Sequence, residues 1–219
     1  MAHLHKFLLT VFLTLMWPGL ALRAAEAPVA IELPPARTSG GKPLMDALKE
    51  RRTTREFSSE KLSPQIISDL LWAAFGVNRS STGQRTAPSA MNSQEIEIYV
   101  ALPEGLFSYD AKGHRLTPAL SADLRRQAGG QASFASAPVT LIYVANLPKL
   151  TKAPTETRPF YAGFDAGCVC QNVYLYCASA GLATVVHDLE RPRLSEAMRL
   201  KPEQQIILAQ AVGFPSVAK

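Results

Sequence analysis

The stretch PVTLIYVAN, residues 138–146, constrains the fold more than any other. It carries no charge, and positions of both parities are apolar. In a strand, successive side chains point to opposite faces. A strand apolar on both faces must be covered on both, so this one belongs inside a sheet, with a further layer above and below.

The flanking segments supply those layers. Pro43 suits a first helical turn, and PLMDALKERR puts Leu44, Ala47 and Leu48 on one face. Ser63 and Pro64 read as the N-cap and first position of a second helix. Its Ile66, Ile67, Leu70, Leu71, Ala74 and Phe75 form a broad apolar stripe that Gly76 stops. Residues 78–94 are polar and turn-rich, a long loop. EIEIYVAL, residues 95–102, alternates Glu95 and Glu97 with Ile96 and Ile98, the pattern of a half-buried strand. Residues 105–120 predict a hairpin turning at 110–113, and residues 121–135 a helix weakened by Gly129 and Gly130. Arg125 and Arg126 read as its solvated face.

Residues 161–183, YAGFDAGCVCQNVYLYCASAGLA, form a long helix rich in small residues, with Gly181 as its C-cap. Such a helix packs close to its neighbours. Trp72, Tyr174 and Tyr176 fall at helical spacings that suit core or interface positions. A short strand (184–188), a short helix (192–200) and a last apolar strand (206–214) complete an α+β domain of three-layer α/β/α form.

The first residues stand apart. A weakly positive MAHLHK, an eleven-residue apolar run and a small-residue stretch have the layout of an export signal, residues 1–25. The apolar run is shorter than the roughly 20 residues that a membrane span needs. The chain is therefore expected in the periplasm, cut between Ala21 and Ala27, with no stable span left. Residues 26–42, rich in Pro, Ala and Gly, read as a linker or arm, and 43–219 as the domain. Losing Lys6 and Arg23 lowers the net charge from +5 to about +3. With no extended basic run, nucleic acid is not an expected partner. Cys168, Cys170 and Cys177 are an odd set on one helix, with no histidine at ligand spacing, and read as small apolar residues; no metal is expected.

RRTTREF, residues 51–57, concentrates cationic donors in a chain that is only 19% charged. Guanidinium forks match phosphate oxygens in pairs, and a threonine hydroxyl adds a neutral donor. In an extended segment Arg51, Thr53 and Arg55 share one face and could converge on one anion. The other reading is a solvated basic stretch. A second cluster, RTAPSAMNSQ, places Pro88, Ser89, Asn92 and Gln94 just ahead of a strand. Asn and Gln carry donor and acceptor together, which suits the edge of a heteroaromatic ring; turn chemistry explains the same residues.

Together, RRTTREF, LLWAAFGVNR, RTAPSAMNSQEIEIYV and GLFSYD resemble the nitroreductase superfamily of FMN-dependent oxidoreductases. They look most like the branch of the thiazole- and oxazole-forming dehydrogenases. The long helix is similar to that family's dimer helix, and QAVGFP to its closing strand; the likeness covers roughly residues 43–215. It implies a central mixed sheet flanked by helices in an intertwined homodimer with FMN at its interface. Arg51, Arg52, Thr53 and Arg55 of one copy would hold the phosphate and pyrimidine edge. Pro88, Ser89, Ala90 and Asn92 of the other would meet the ring and ribityl chain. The loop around His187 and Asp188 would offer a backbone donor near flavin N5. Such enzymes pass hydride by ping-pong from NAD(P)H, or another reduced donor such as a quinol, to a small-molecule acceptor, with no side chain required as general acid or base. His187 reads either as a proton donor or as a structural residue. Lys219 is the basic residue left after the last strand to reach the phosphate. The competing reading is a flavin- or phosphate-ligand-binding module without turnover.

Overall fold

The computed structural model describes residues 29–129 and 134–216. The leader-like residues 1–25, Gly130 and Lys219 lie outside the described residues. The chain begins with strand β1 (Ile31–Glu32) and helices α1 (Leu44–Glu50) and α2 (Pro64–Phe75). A small hairpin follows, β2 (Val77–Arg79) and β3 (Gln84–Arg85), then strands β4 (Ile96–Leu102), β5 (Gly105–Asp110) and β6 (Arg115–Leu120). Helix α3 (Arg125–Ala128), strand β7 (Val139–Asn146) and the long helix α4 (Arg158–Ala180) come next. Strand β8 (Ala183–His187), helix α5 (Arg191–Ala197) and strand β9 (Gln204–Gly213) close the fold.

Seven strands form one sheet in the order β1-β6-β5-β4-β7-β9-β8. Strand β7 lies inside it, between β4 and β9, as its two apolar faces require. Leu141, Tyr143 and Ala145 point into a core shared with Leu70, Leu71 and Phe75 of α2 and Ala162, Ala166 and Val173 of α4. Ile142 and Val144, on the other face, pack with Leu124, Ala128, Leu194 and Met198 around α3 and α5. The fold is thus α+β, with helices on both sides of the sheet. Each large side chain so buried contributes about 1.5–3 kcal/mol.

Every pairing in the sheet is antiparallel, which corrects the expectation of a mixed sheet. The reason is topological. The crossover through α4 makes β7 and β8 run the same way, but β9 inserts between them and opposes both.

The helix ends follow their local chemistry. Ser63 caps α2 by accepting a hydrogen bond from Ile66 N at 3.3 Å. Gly76 ends α2 in ordinary extended geometry; a Cβ there would lie 2.5 Å from Trp72 Cδ1. At the end of α4, Gly181 is left-handed (φ 71), and its N–H and that of Leu182 both bond Cys177 O. Small buried residues, Ala162, Ala166 and Val169, let α4 lie close on the sheet. Among the described residues no helix is long and apolar enough to cross a membrane. The cysteines form no disulfide, and burial pushes the Cys170 thiol up to about 12, which makes it a poor nucleophile.

Other expectations change. Helix α1 buries only Ala47 and leaves Leu44 and Leu48 exposed, so its apolar face points away from this chain's core. Helix α3 has four residues and stops at Gly129. Arg125 is not simply solvated: it grips Asp123 and donates to Ala137 O at 3.2 Å. The 78–94 loop contains the β2–β3 hairpin. Residues 31–42 are docked against their own chain: β1 pairs with β6, Ser68 Oγ donates to Pro34 O at 2.6 Å, and Lys42 N donates to Ser179 Oγ. Arg37 meets the buried Asp69 through its backbone N at 2.7 Å and its Nε at 2.8 Å. Replacing Asp69 by Ala should cost about 1.5–3 kcal/mol, the range for hydrogen bonds to a charged group. Chemical denaturation measures that loss, and limited proteolysis should then cut within residues 31–42.

Candidate functional site

Residues 51–55 leave α1 in extended form and run beside the C-terminal half of α4 and the start of β8. Thr54 N donates to Thr184 O at 3.0 Å, which pins the segment to the sheet edge. Tyr174, on α4, joins the two. Its hydroxyl accepts the Val186 N–H at 3.0 Å and lies 3.2 Å from Thr53 Oγ1. The Arg51 guanidinium sits over its ring, 5.4 Å from the centroid.

A cavity of about 580 Å³ opens here, lined by Lys42, Lys49, Arg51, Arg52, Thr54 and Tyr174 among others. Lys42 is paired with Glu50. Lys49, Arg51, Arg52 and Arg55 have no ion-pair partner among the described residues. Unpaired guanidiniums beside a cleft are what an anionic group needs. The lining takes Arg51, Arg52 and Thr54; in the single chain Thr53 and Arg55 lie outside it. Thr53 is instead turned to Tyr174, and Arg55 is exposed.

The second cluster lies elsewhere. Ala90 N donates to Asp165 Oδ2 at 2.7 Å, near the N-terminal end of α4. Ser89 Oγ accepts Gln94 N at 2.7 Å and donates to Glu95 Oε2 at 3.2 Å. Met91, Asn92 and Gln94 all have left-handed backbones, with φ of 54, 54 and 48. Non-glycine residues in that region are strained, so the contacts around them must hold the turn. Pro88, Met91 and Asn92 are exposed. Arg85 braces the turn from behind: its Nε donates to Gln94 Oε1 and its NH1 to Phe75 O, while burial lowers its basicity.

One chain does not bring the two clusters together. Their anchors on α4, Asp165 and Tyr174, are nine residues apart, about 13 Å along the axis. The same helix exposes Phe160 (71%) and Phe164 (60%), with Gly163 and Gly167 open between and beside them.

His187, at the end of β8, faces away from α4. Its ring stacks on Phe134 at 4.7 Å, and its Nδ1 lies 3.2 Å from Asp188 O. Burial lowers its pKa, opposing the imidazolium form. Its Nε2 is buried without a hydrogen-bond partner among the described residues. Asp188 is exposed; the Leu189 backbone N–H and then Arg191 hold its carboxyl below the usual range.

Comparison with known proteins gives the family and the fold. The model of the nitroreductase family matches residues 48–214. This chain belongs to the nitroreductase family. A protein of Methanocaldococcus jannaschii named as a nitroreductase is 34% identical over 152 residues, 65% of this chain and 76% of its own. A crystal structure from Ralstonia eutropha JMP134, also named as a nitroreductase, superposes with a TM-score of 0.84 at 41% identity, covering 89% of this chain and 93% of that one. A chain of the E. coli microcin synthetase McbBCD complex shares the fold, with a TM-score of 0.66 at 19% identity over 95% of this chain and 85% of its own.

In this member of the nitroreductase family, sequence reasoning missed Thr54, Lys42, Lys49, Asp165 and the bridging role of Tyr174. No local signal marks them, because each acts through a partner more than thirty residues away or through cavity shape. Tyr174→Phe removes the acceptor for Val186 N–H and the contact with Thr53. It should cost about 1–2 kcal/mol, at roughly 1 per hydrogen bond, and hydrogen exchange at Val186 should speed up correspondingly.

Proposed function

We propose that the chain is an FMN-dependent oxidoreductase that works as a homodimer, each FMN lying between two copies. The observation that carries this is the pair of half-sites: unpaired cations at one end of α4 and a strained, exposed polar turn at the other. A second copy, running opposite along α4, would set the turn of one chain against the cations of the other. The exposed Phe160 and Phe164, with Leu44, Met45 and Leu48 of α1, give such a partner an apolar surface to cover.

In this reading Arg51, Arg52, Thr53 and Arg55 hold the phosphate and the pyrimidine edge, with Lys49 and Thr54 beside them. Pro88, Ser89, Ala90 and Asn92 of the other copy position the ring and ribityl chain. The backbone of Asp188, rather than the His187 side chain, faces flavin N5. FMN supplies the hydride chemistry, taking electrons from NAD(P)H or another reduced donor and passing them to a small acceptor by ping-pong. The leader-like residues 1–25 add a periplasmic location, for which a quinol or protein donor is the alternative to NAD(P)H. Recovery of a shortened chain from the periplasm, with a new N-terminus between residues 21 and 27, tests that location.

The isolated protein should be a yellow dimer that bleaches anaerobically with NADH and recovers its colour with a nitroaromatic acceptor. A yellow protein that no donor reduces would favour the binding module. A colourless monomer indifferent to added FMN would refute both. Arg51→Ala with Arg55→Ala should cost about 3–6 kcal/mol of FMN affinity, at 1.5–3 per charge-assisted bond. Unchanged affinity would remove these residues from the phosphate site.

A further inference from the structure

Two carboxyl groups meet beneath the 88–94 turn, away from water. Glu95, just ahead of β4, and Asp165, on α4, are both fully buried. Each uses one oxygen to hold the turn: Asp165 Oδ2 accepts Ala90 N–H, and Glu95 Oε2 accepts the Ser89 hydroxyl. The other oxygens, Glu95 Oε1 and Asp165 Oδ1, are buried without a hydrogen-bond donor. Neither carboxyl has a cation in ion-pair reach among the described residues. Among the described residues the titratable groups nearby are few. From α4 there is Cys168, whose thiol is raised by burial and by Asp165. From β3 there is Arg85, which is committed to Gln94 and Phe75 O and feels the charges of Tyr109 and Asp110.

Two ionised carboxylates in contact without a cation are strongly disfavoured, and two orphaned buried acceptors are rare. One proton placed between them removes both problems. We propose that Glu95 and Asp165 hold a single proton between them, and that this shared proton keeps the strained 88–94 turn in the shape it presents to a second copy. The pair is a positioning device. It touches neither cofactor nor substrate, and acts through Ala90 and Ser89.

The electrostatics agree. Burial, opposed by a backbone hydrogen bond and reinforced by Asp165, pushes Glu95 from 4.5 up to about 7. The folded chain thus keeps a proton that the unfolded chain loses near 4.5. Its contribution to stability is fully present below 4.5 and is lost as pH rises through about 7. Above that pH the like charges must part or hydrate, and one tether of the turn goes with them. The consequence for cofactor binding rests on the flavin reading above; the shared proton itself does not.

Infrared spectroscopy of the full chain tests the proton directly. A neutral carboxylic-acid band should be present on the acid side of neutrality and fade as pH rises through it. It should be missing in both Glu95→Gln and Asp165→Asn, each of which can donate an amide N–H to the remaining carboxylate. Hydrogen exchange at Ala90 and Gln94, corrected for intrinsic rates, should lose protection above neutrality in the native chain and keep it in Glu95→Gln. FMN affinity should fall by up to about tenfold per pH unit over that range in the native chain, and stay level in Glu95→Gln. A band that survives in both variants, no such band in the native chain, or turn protection that depends on pH equally in native and Glu95→Gln chains would overturn the proposal. Failure to bind FMN with the infrared and exchange results intact would overturn the flavin reading alone.

Discussion

Strand β7 is buried on both faces, and the rest of the molecule is arranged to keep it so. One face needs α2 and α4, the other α3 and α5. A helix that covers a sheet must lie close to it, and the alanines of α4 allow that approach. Polar groups that enter the same layer have to be satisfied internally. Tyr143 donates to Gln210, Gln210 to Thr184, and Thr184 to Ala211 O. That buried line ties β7, β9 and β8 together under α4 and fixes the strand edge against which residues 51–55 rest.

Helix α4 is therefore both core and ruler. Its inward face makes the fold. Its remaining positions carry Asp165 at one end and Tyr174 towards the other, and these anchor two chemically different segments. A rigid helix cannot fold back to unite them, so a single chain keeps the two segments apart. The exposed phenylalanines Phe160 and Phe164 lie on the same helix.

Much of the architecture was legible in local patterns. The two-sided apolarity of β7, the Ser63 cap, the stripe of α2 and the Gly181 stop each act within a few residues, so each shows in the sequence itself. The dock of residues 31–42 was not, because its hold depends on Asp69, Ser68 and Ser179, which no spacing rule links to Pro34, Arg37 or Lys42. Strand direction is not legible locally, because it depends on where β9 inserts, a long-range choice. In the site, RRTTREF and PSAMN were recognisable as donor-rich segments. Which side chains of the first line the cavity was not, since the path of the backbone after α1 decides it.

The sequence by itself determined the layers, the family and the two segments that carry the polar chemistry, because hydrophobic period and donor type are written residue by residue. Only the tertiary structure decided that those segments sit about 13 Å apart along α4. It also decided that His187 turns to Phe134, and that Glu95 and Asp165 meet in the dark of the core. Burial and mutual distance are properties of packed pairs, and a chain acquires them only when it closes on itself.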